Sequence, residues 1–133
     1  MANWAGDRGD VATEWRFYLV TAQRASSFLP DVAYIPYERL ARSLPEDARE
    51  RPRVAPDIAV EIWSADDRPE SLAEKIAVYL ANGARLVMLV YSEPPTIVFH
   101  LHGQTVTHVA ERTLQVPGLD DLVLGADALF RNL

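Results

Sequence analysis

The sequence has 133 residues, which predicts one domain, at 13–133, preceded by an N-terminal tail at 1–12. Hydrophobic residues make up 49% of the chain and charged residues 24%, a composition typical of globular proteins and not of disordered chains. The absence of cysteine excludes disulfides and thiolate metal sites, and the net charge of −6 argues against a broad basic surface for nucleic acid.

The first half of the chain predicts two strands and a short helix. Residues 13–20 (TEWRFYLV) and 31–35 (DVAYI) are rich in the β-branched and aromatic residues typical of strands. Residues 37–44 could form a short helix. Residues 45–56 (PEDARERPRVAP) are polar and interrupted by prolines, which predicts a surface loop.

The middle of the chain predicts a strand, a helix and a second strand. Residues 58–63 (IAVEIW) suit a covered strand. Asp67 and Glu70 have the spacing of a capping box, and Gly83 is suited to end the helix that follows. The continuous apolar run at 85–91 (RLVMLVY) is typical of a central strand, so we expect a βαβ unit with parallel strands.

The last part of the chain predicts a hairpin, a short strand and a short helix. Residues 96–101 and 105–110 flank a turn, and 122–130 supply the final strand and helix. The predicted fold class is therefore mixed α/β (α+β), with one βαβ crossover and a C-terminal hairpin. No apolar run is long enough to span a membrane and no signal peptide begins the sequence, so we expect a cytoplasmic protein without a membrane partner.

Glu61 lies within an otherwise apolar strand, where a carboxylate is costly to bury unless its charge is compensated. Strand alternation places Asp57 on the same face, but roughly 13 Å away, too far for both residues to bind one metal ion. Lys75, the only lysine of the chain, lies at the edge of the apolar stripe of the predicted helix. From there its ammonium group can reach toward Glu61.

Three segments together carry a family resemblance: LPDVAYI, PDIAVEIWS with the helix and strand after it, and PGLDDLVLGADALF. Over 13–130 the sequence resembles the Uma-two family of restriction endonuclease-like proteins, within the PD-(D/E)xK nuclease superfamily. The resemblance implies a restriction-endonuclease-like mixed sheet and a metal-dependent nuclease that hydrolyses phosphodiester bonds of nucleic acid.

The same resemblance implies the site residues. Asp31 and Glu61 would bind Mg²⁺ or Mn²⁺, and Lys75 would help to position or activate the attacking water, completing a catalytic set of Asp31, Glu61 and Lys75. Trp63 stands where many superfamily members have that lysine. Asp57 is a weaker candidate for the site. It would either shape the entry of the strand or support the metal ligands without binding the metal itself.

Each of these residues also has a structural explanation. Glu61 could form an ion pair with Lys75 or an arginine, and Asp31 could bond local backbone at the start of a strand. For Asp57 we favour the structural role. His100 and His102 could point two imidazoles to one face, but hairpin residues beside a turn are more often simply solvated.

The competing function is a catalytically silent domain that acts as an oligomerisation or binding module. Relatives carry a helical segment before the first strands, and this sequence resembles a member shortened at its N-terminus. Uncovered strand edges then predict a homodimer. Nucleic acid stays a possible partner that the acidic charge does not support.

Overall fold

A computed structural model of the chain describes residues 6–21, 25–63, 68–92, 95–109, 113–116 and 119–125. These residues form ten strands and two helices. In chain order they are β1 (Gly9–Ala12), β2 (Phe17–Val20), β3 (Ala25–Phe28), β4 (Val32–Pro36), α1 (Glu46–Glu50), β5 (Ile58–Ile62), α2 (Pro69–Ala81), β6 (Leu86–Ser92), β7 (Pro95–Leu101), β8 (Gln104–Val109), β9 (Thr113–Val116) and β10 (Leu119–Gly125).

Six strands form one mixed sheet in the order β1-β4-β5-β6-β7-β8. β5 and β6 are parallel and are joined through α2, while the other neighbouring strands are antiparallel. The predicted βαβ unit, the β7–β8 hairpin and the mixed α/β class are therefore confirmed. Two further pairs, β2–β3 and β9–β10, form separate two-stranded sheets.

Each face of the central sheet carries a buried cluster, and successive side chains of a strand contribute to opposite faces. One face carries a cluster to which β5 gives Ile58 and Val60. The other face, which we call the helix face, packs on α2 and includes Ala59 of β5 and the fully buried Tyr79 of α2. Residues 86–90 of β6 are all buried, as expected for a central strand.

Helix α2 has a defined start and end. Pro69 occupies the first turn, where its missing N–H costs nothing. The N-cap residue is Arg68, which makes no side-chain cap bond, so the predicted start one residue earlier is wrong; Asp67 lies outside the described residues. Gly83 follows the helix with φ +109°, a conformation that favours glycine, and this confirms the predicted end.

Several predictions for the first half of the chain were wrong in detail. Residues 9–12 form β1 instead of part of a tail, and 13–16 lie outside any strand. Gly9 permits this pairing, since a Cβ there would lie 2.3 Å from the carbonyl oxygen of Ile35. Residues 37–44 form turns, and the helix begins after Pro45, where Glu46 and Asp47 suit a helix N-terminus.

The remaining differences concern short strands. β3 and β9 were not predicted, because ASSF and TLQV are too short to show a clear alternation. The predicted final strand is present as β10, and the predicted helix beyond it lies outside the described residues. Neither described helix has the length and hydropathy needed to cross a membrane.

Candidate active site

The buried carboxylate of Glu61 is the centre of the candidate site. Glu61 lies on β5 and is 6% exposed, facing the same side of the sheet as Ala59. A charged carboxylate at this depth requires partners, because desolvation penalises its ionised form. Helix α2 supplies two of them.

Tyr79 and Lys75 reach Glu61 from consecutive turns of α2. The Tyr79 hydroxyl donates a hydrogen bond to Glu61 Oε1 at 2.9 Å, and Lys75 Nζ lies 3.7 Å from Glu61 Oε2. Residues four apart lie on one face of a helix, which is why both side chains can point toward the same carboxylate. The contact with Lys75 agrees with the sequence-based expectation.

Tyr79 is the residue that sequence reasoning missed as a member of the site. Its ring belongs to the apolar stripe of α2 and is fully buried, a position for which helix periodicity predicts packing alone. The spacing of four residues from Lys75, over a strand that carries a glutamate, was the available signal. A buried tyrosine hydroxyl normally has a hydrogen-bond partner, and here that partner is Glu61.

Asp31 approaches the same end of β5 from the residue before β4. Its N–H donates to the carbonyl oxygen of Val60 at 2.9 Å, and its Oδ2 accepts from the N–H of Ile62 at 2.7 Å. Both bonds join Asp31 to the neighbouring strand β5, so they differ from the local backbone bond expected at the start of a strand. These two bonds hold Asp31 across from Glu61 on the neighbouring strand. Asp31 is exposed to solvent, in contrast to the buried Glu61.

Burial raises the pKa of Glu61 above its ordinary value. The positive charge of Lys75 and the hydrogen bond from Tyr79 oppose this shift, while the negative charge of Asp31 adds to it. Burial, together with the neighbouring negative charge of Glu61, also raises the pKa of Tyr79. The Tyr79 hydroxyl therefore stays protonated and acts as a donor at physiological pH.

Asp57 lies at the opposite end of β5 and is part of a different network. Its Oδ1 is 3.2 Å from Arg39 Nη1 and its Oδ2 is 2.7 Å from Arg85 Nη2. Its carbonyl oxygen accepts from the N–H groups of Arg85 and Leu86. Two guanidinium groups compensate this buried carboxylate, as favoured from the sequence.

The oxygen atoms of Asp31 and Glu61 suit a hard divalent cation. Mg²⁺ is commonly held by one or two carboxylates, and its remaining positions are taken by water and substrate phosphate oxygens. The donor set fits such an ion, because Lys75 is the one cationic side chain that the described residues bring to these two carboxylates. Within the described residues no group of three His, Cys, Asp or Glu side chains could hold a metal.

His100 and His102 of the β7–β8 hairpin are not among the partners of Asp31 and Glu61 described above. His100 is half-buried on β7, and burial lowers its pKa. Its Nδ1 lies 3.4 Å from Thr105 Oγ1, and His102 is exposed in the turn. The solvated interpretation fits His102, and the metal hypothesis for the two histidines gains no support from the described side chains.

Two comparisons with known proteins agree with this architecture. The family model Uma2, described as "Putative restriction endonuclease", matches residues 1–127. The chain is also similar to a solved structure from Anabaena variabilis ATCC 29413, described as "a putative nuclease belonging to DUF820", with a TM-score of 0.75 and 22% identity. The similarity covers 94% of this chain and 69% of that one, and it shows a common fold. No curated protein matches the sequence.

The Tyr79→Phe substitution should raise the pKa of Glu61 further. The hydroxyl donates to the carboxylate and stabilises its charged form, so its removal leaves burial less opposed. The pKa can be followed by carboxyl ¹³C NMR, with Tyr18→Phe, on the exposed side of β2, as the matched control. An unchanged Glu61 titration in Tyr79→Phe would contradict the contact.

The Glu61→Gln substitution should change how stability depends on pH. Because the folded pKa of Glu61 is raised above its ordinary value of 4.5, the folded state holds this proton to higher pH than the unfolded state. The wild type should therefore lose stability relative to Glu61→Gln as pH rises above about 4.5. Urea unfolding between acidic and neutral pH measures the difference in free energy of unfolding between Glu61→Gln and the wild type. Glu74→Gln, on the exposed side of α2, is the control for one lost charge. A stability advantage of Glu61→Gln that shrinks with rising pH would contradict the raised pKa of Glu61.

Proposed function

The chain belongs to the Uma2 family, described as "Putative restriction endonuclease", and we propose that it is a nuclease that hydrolyses phosphodiester bonds with the help of a divalent cation. One observation carries the proposal. A buried glutamate, Glu61, and an exposed aspartate, Asp31, meet at one end of β5, with Lys75 Nζ 3.7 Å from the glutamate.

In this proposal, Asp31 and Glu61 hold Mg²⁺ or Mn²⁺. When bound, such an ion lowers the pKa of a water molecule and stabilises negative charge on the phosphodiester. The raised pKa of Glu61 supports a cation at this place, because burial and the charge of Asp31 leave the ionised carboxylate short of compensation. An arriving cation would favour the charged form of the Glu61 carboxylate.

Each protein group has a distinct task. Tyr79 fixes the orientation of Glu61 by its hydrogen bond to Oε1, and the bond from Ile62 N–H fixes Asp31. Lys75 is half-buried, so its ammonium group touches Glu61 while keeping access to solvent and to substrate. We assign to Lys75 the positioning of the attacking water or of a phosphate oxygen through its positive charge.

The net charge of −6 favours a second candidate, a silent domain that serves in oligomerisation or binding. Within the described sheet, β1 and β8 are the terminal strands, and strands at a sheet edge can pair with another chain. A homodimer formed along such an edge is compatible with either function. A nucleic-acid substrate also fits the cytoplasmic location that the sequence predicts.

A cleavage assay separates the two candidates. With Mg²⁺ or Mn²⁺, the wild type should cleave DNA or RNA, and chelation by EDTA should abolish the cleavage. Glu61→Gln and Lys75→Ala should each reduce the rate by about a hundredfold or more, the usual effect of removing a group that orients or transfers a proton. The measurement is product formation from labelled single- and double-stranded substrates.

Glu74→Gln is the matched control, because it removes an exposed carboxylate next to Lys75 on α2 and leaves the site intact. Thermal unfolding of each variant establishes that it is folded. Cleavage that survives Glu61→Gln at the wild-type rate would refute the site, and a folded wild type without cleavage would favour the silent module.

A further inference from the structure

Two aromatic rings lie beside the candidate site on the helix face of the sheet. The ring centroids of Trp63 and Tyr91 are 5.5 Å apart, with an angle of 36° between the planes. The backbone N–H of Trp63 donates to the carbonyl oxygen of Val90 at 2.9 Å, so the pairing of β5 with β6 continues through Trp63. Trp63 is two residues after Glu61 and about 7 Å farther along the strand. Alternation therefore places its ring on the same face as the carboxylate.

The helix face continues past these rings as an open surface of β7 and β8. Its described side chains are half-buried or exposed, and none of them is acidic. They are Thr96, Val98, His100, Thr105 and Thr107. Residues 95–109 contain no Asp or Glu at all, although the chain carries 19 of them, and they contain all three histidines.

This distribution matters for an acidic protein that acts on a polyanion. A nucleic acid that approaches Glu61 must avoid most of the surface carboxylates, and the described side chains of the strip from Trp63 across β8 include none. The same described side chains include no Lys or Arg, so they cannot hold a duplex mainly through its phosphates. Aromatic rings bind unpaired bases by stacking, which needs no basic surface.

We propose that Trp63 and Tyr91 form a stacking step for an unpaired base of a single-stranded nucleic acid, next to the Glu61–Lys75 site. Both rings are half-buried, so each is held by the sheet while part of it reaches solvent. A base stacked on this pair would place its neighbouring phosphate close to Glu61 and Lys75. The inference rests on the proposed function, since it names the substrate class of that site: single-stranded nucleic acid or a locally unpaired segment.

The test measures binding without cleavage. Fluorescence anisotropy with a labelled oligothymidylate in EDTA and low salt compares the wild type with Trp63→Ala, Trp63→Phe and Tyr91→Leu. Trp63→Ala and Tyr91→Leu should each weaken binding about 5- to 100-fold, the range for loss of one base–aromatic stack, while Trp63→Phe should retain most of it. Tyr18→Ala, which removes an exposed aromatic ring from β2, is the matched control.

Two further ligands isolate the bases from the phosphates. An abasic oligomer of the same length and a duplex of the same sequence should both bind more weakly than the oligothymidylate. Equal binding of the abasic oligomer by the wild type would overturn the stacking step, as would unchanged binding by folded Trp63→Ala and Tyr91→Leu.

The result of this binding test is independent of the result of the cleavage assay that tests the nuclease proposal. Because EDTA removes the cation, base-dependent binding lost in Trp63→Ala supports the stacking step even if no cleavage is ever observed. Conversely, metal-dependent cleavage by a wild type that binds the abasic oligomer equally well would uphold the nuclease and overturn the stacking step.

Discussion

The burial of a single carboxylate is the constraint on which the helix face of this sheet depends. Glu61 lies in the central part of the sheet, and its ionised form is tolerated because α2 brings Tyr79 and Lys75 to its two oxygens. A leucine at this position would avoid the cost of desolvating a carboxylate. The chain instead keeps a group whose pKa burial pushes upward, which is typical of functional sites. The buried carboxylate of Glu61 therefore supports the role proposed for it at the candidate site.

The acidic residues at the two ends of β5, Asp57 and Glu61, illustrate the difference between a fully and a partly compensated charge. Asp57 is flanked by two guanidinium groups, Arg39 and Arg85, and its backbone also ties the turn before β6 to the sheet. Glu61 has one ammonium group at 3.7 Å and a second carboxylate, Asp31, close enough to raise its pKa. A cation would complete the second arrangement and has no place in the first. The two ends of one strand thus differ in the charges around their carboxylates, and this difference supports the proposed cation site at Glu61.

The sequence predicted the parts of this fold that have long and regular patterns. The βαβ unit and the β7–β8 hairpin were evident from apolar runs and turn residues, and the juxtaposition of Lys75 with Glu61 followed from helix and strand periodicity. Short elements escaped because four or five residues carry little periodicity, as in β1 and α1. Tyr79 escaped because a tyrosine in an apolar stripe looks like packing, and its hydroxyl partner depends on tertiary contact. The contact between the rings of Trp63 and Tyr91 also escaped, because it depends on the register between β5 and β6.

Metal binding, measured in the absence of nucleic acid, tests the central claim that Asp31 and Glu61 form one cation site. Titration calorimetry with Mn²⁺ should show one ion bound per chain by the wild type. Asp31→Asn and Glu61→Gln should each weaken the affinity at least about tenfold, or roughly 1.4 kcal/mol, and Asp57→Asn should leave it unchanged if folded. The absence of any binding, or binding that neither substitution at the site affects, would contradict the account and leave Glu61 as the buried partner of Lys75 and Tyr79.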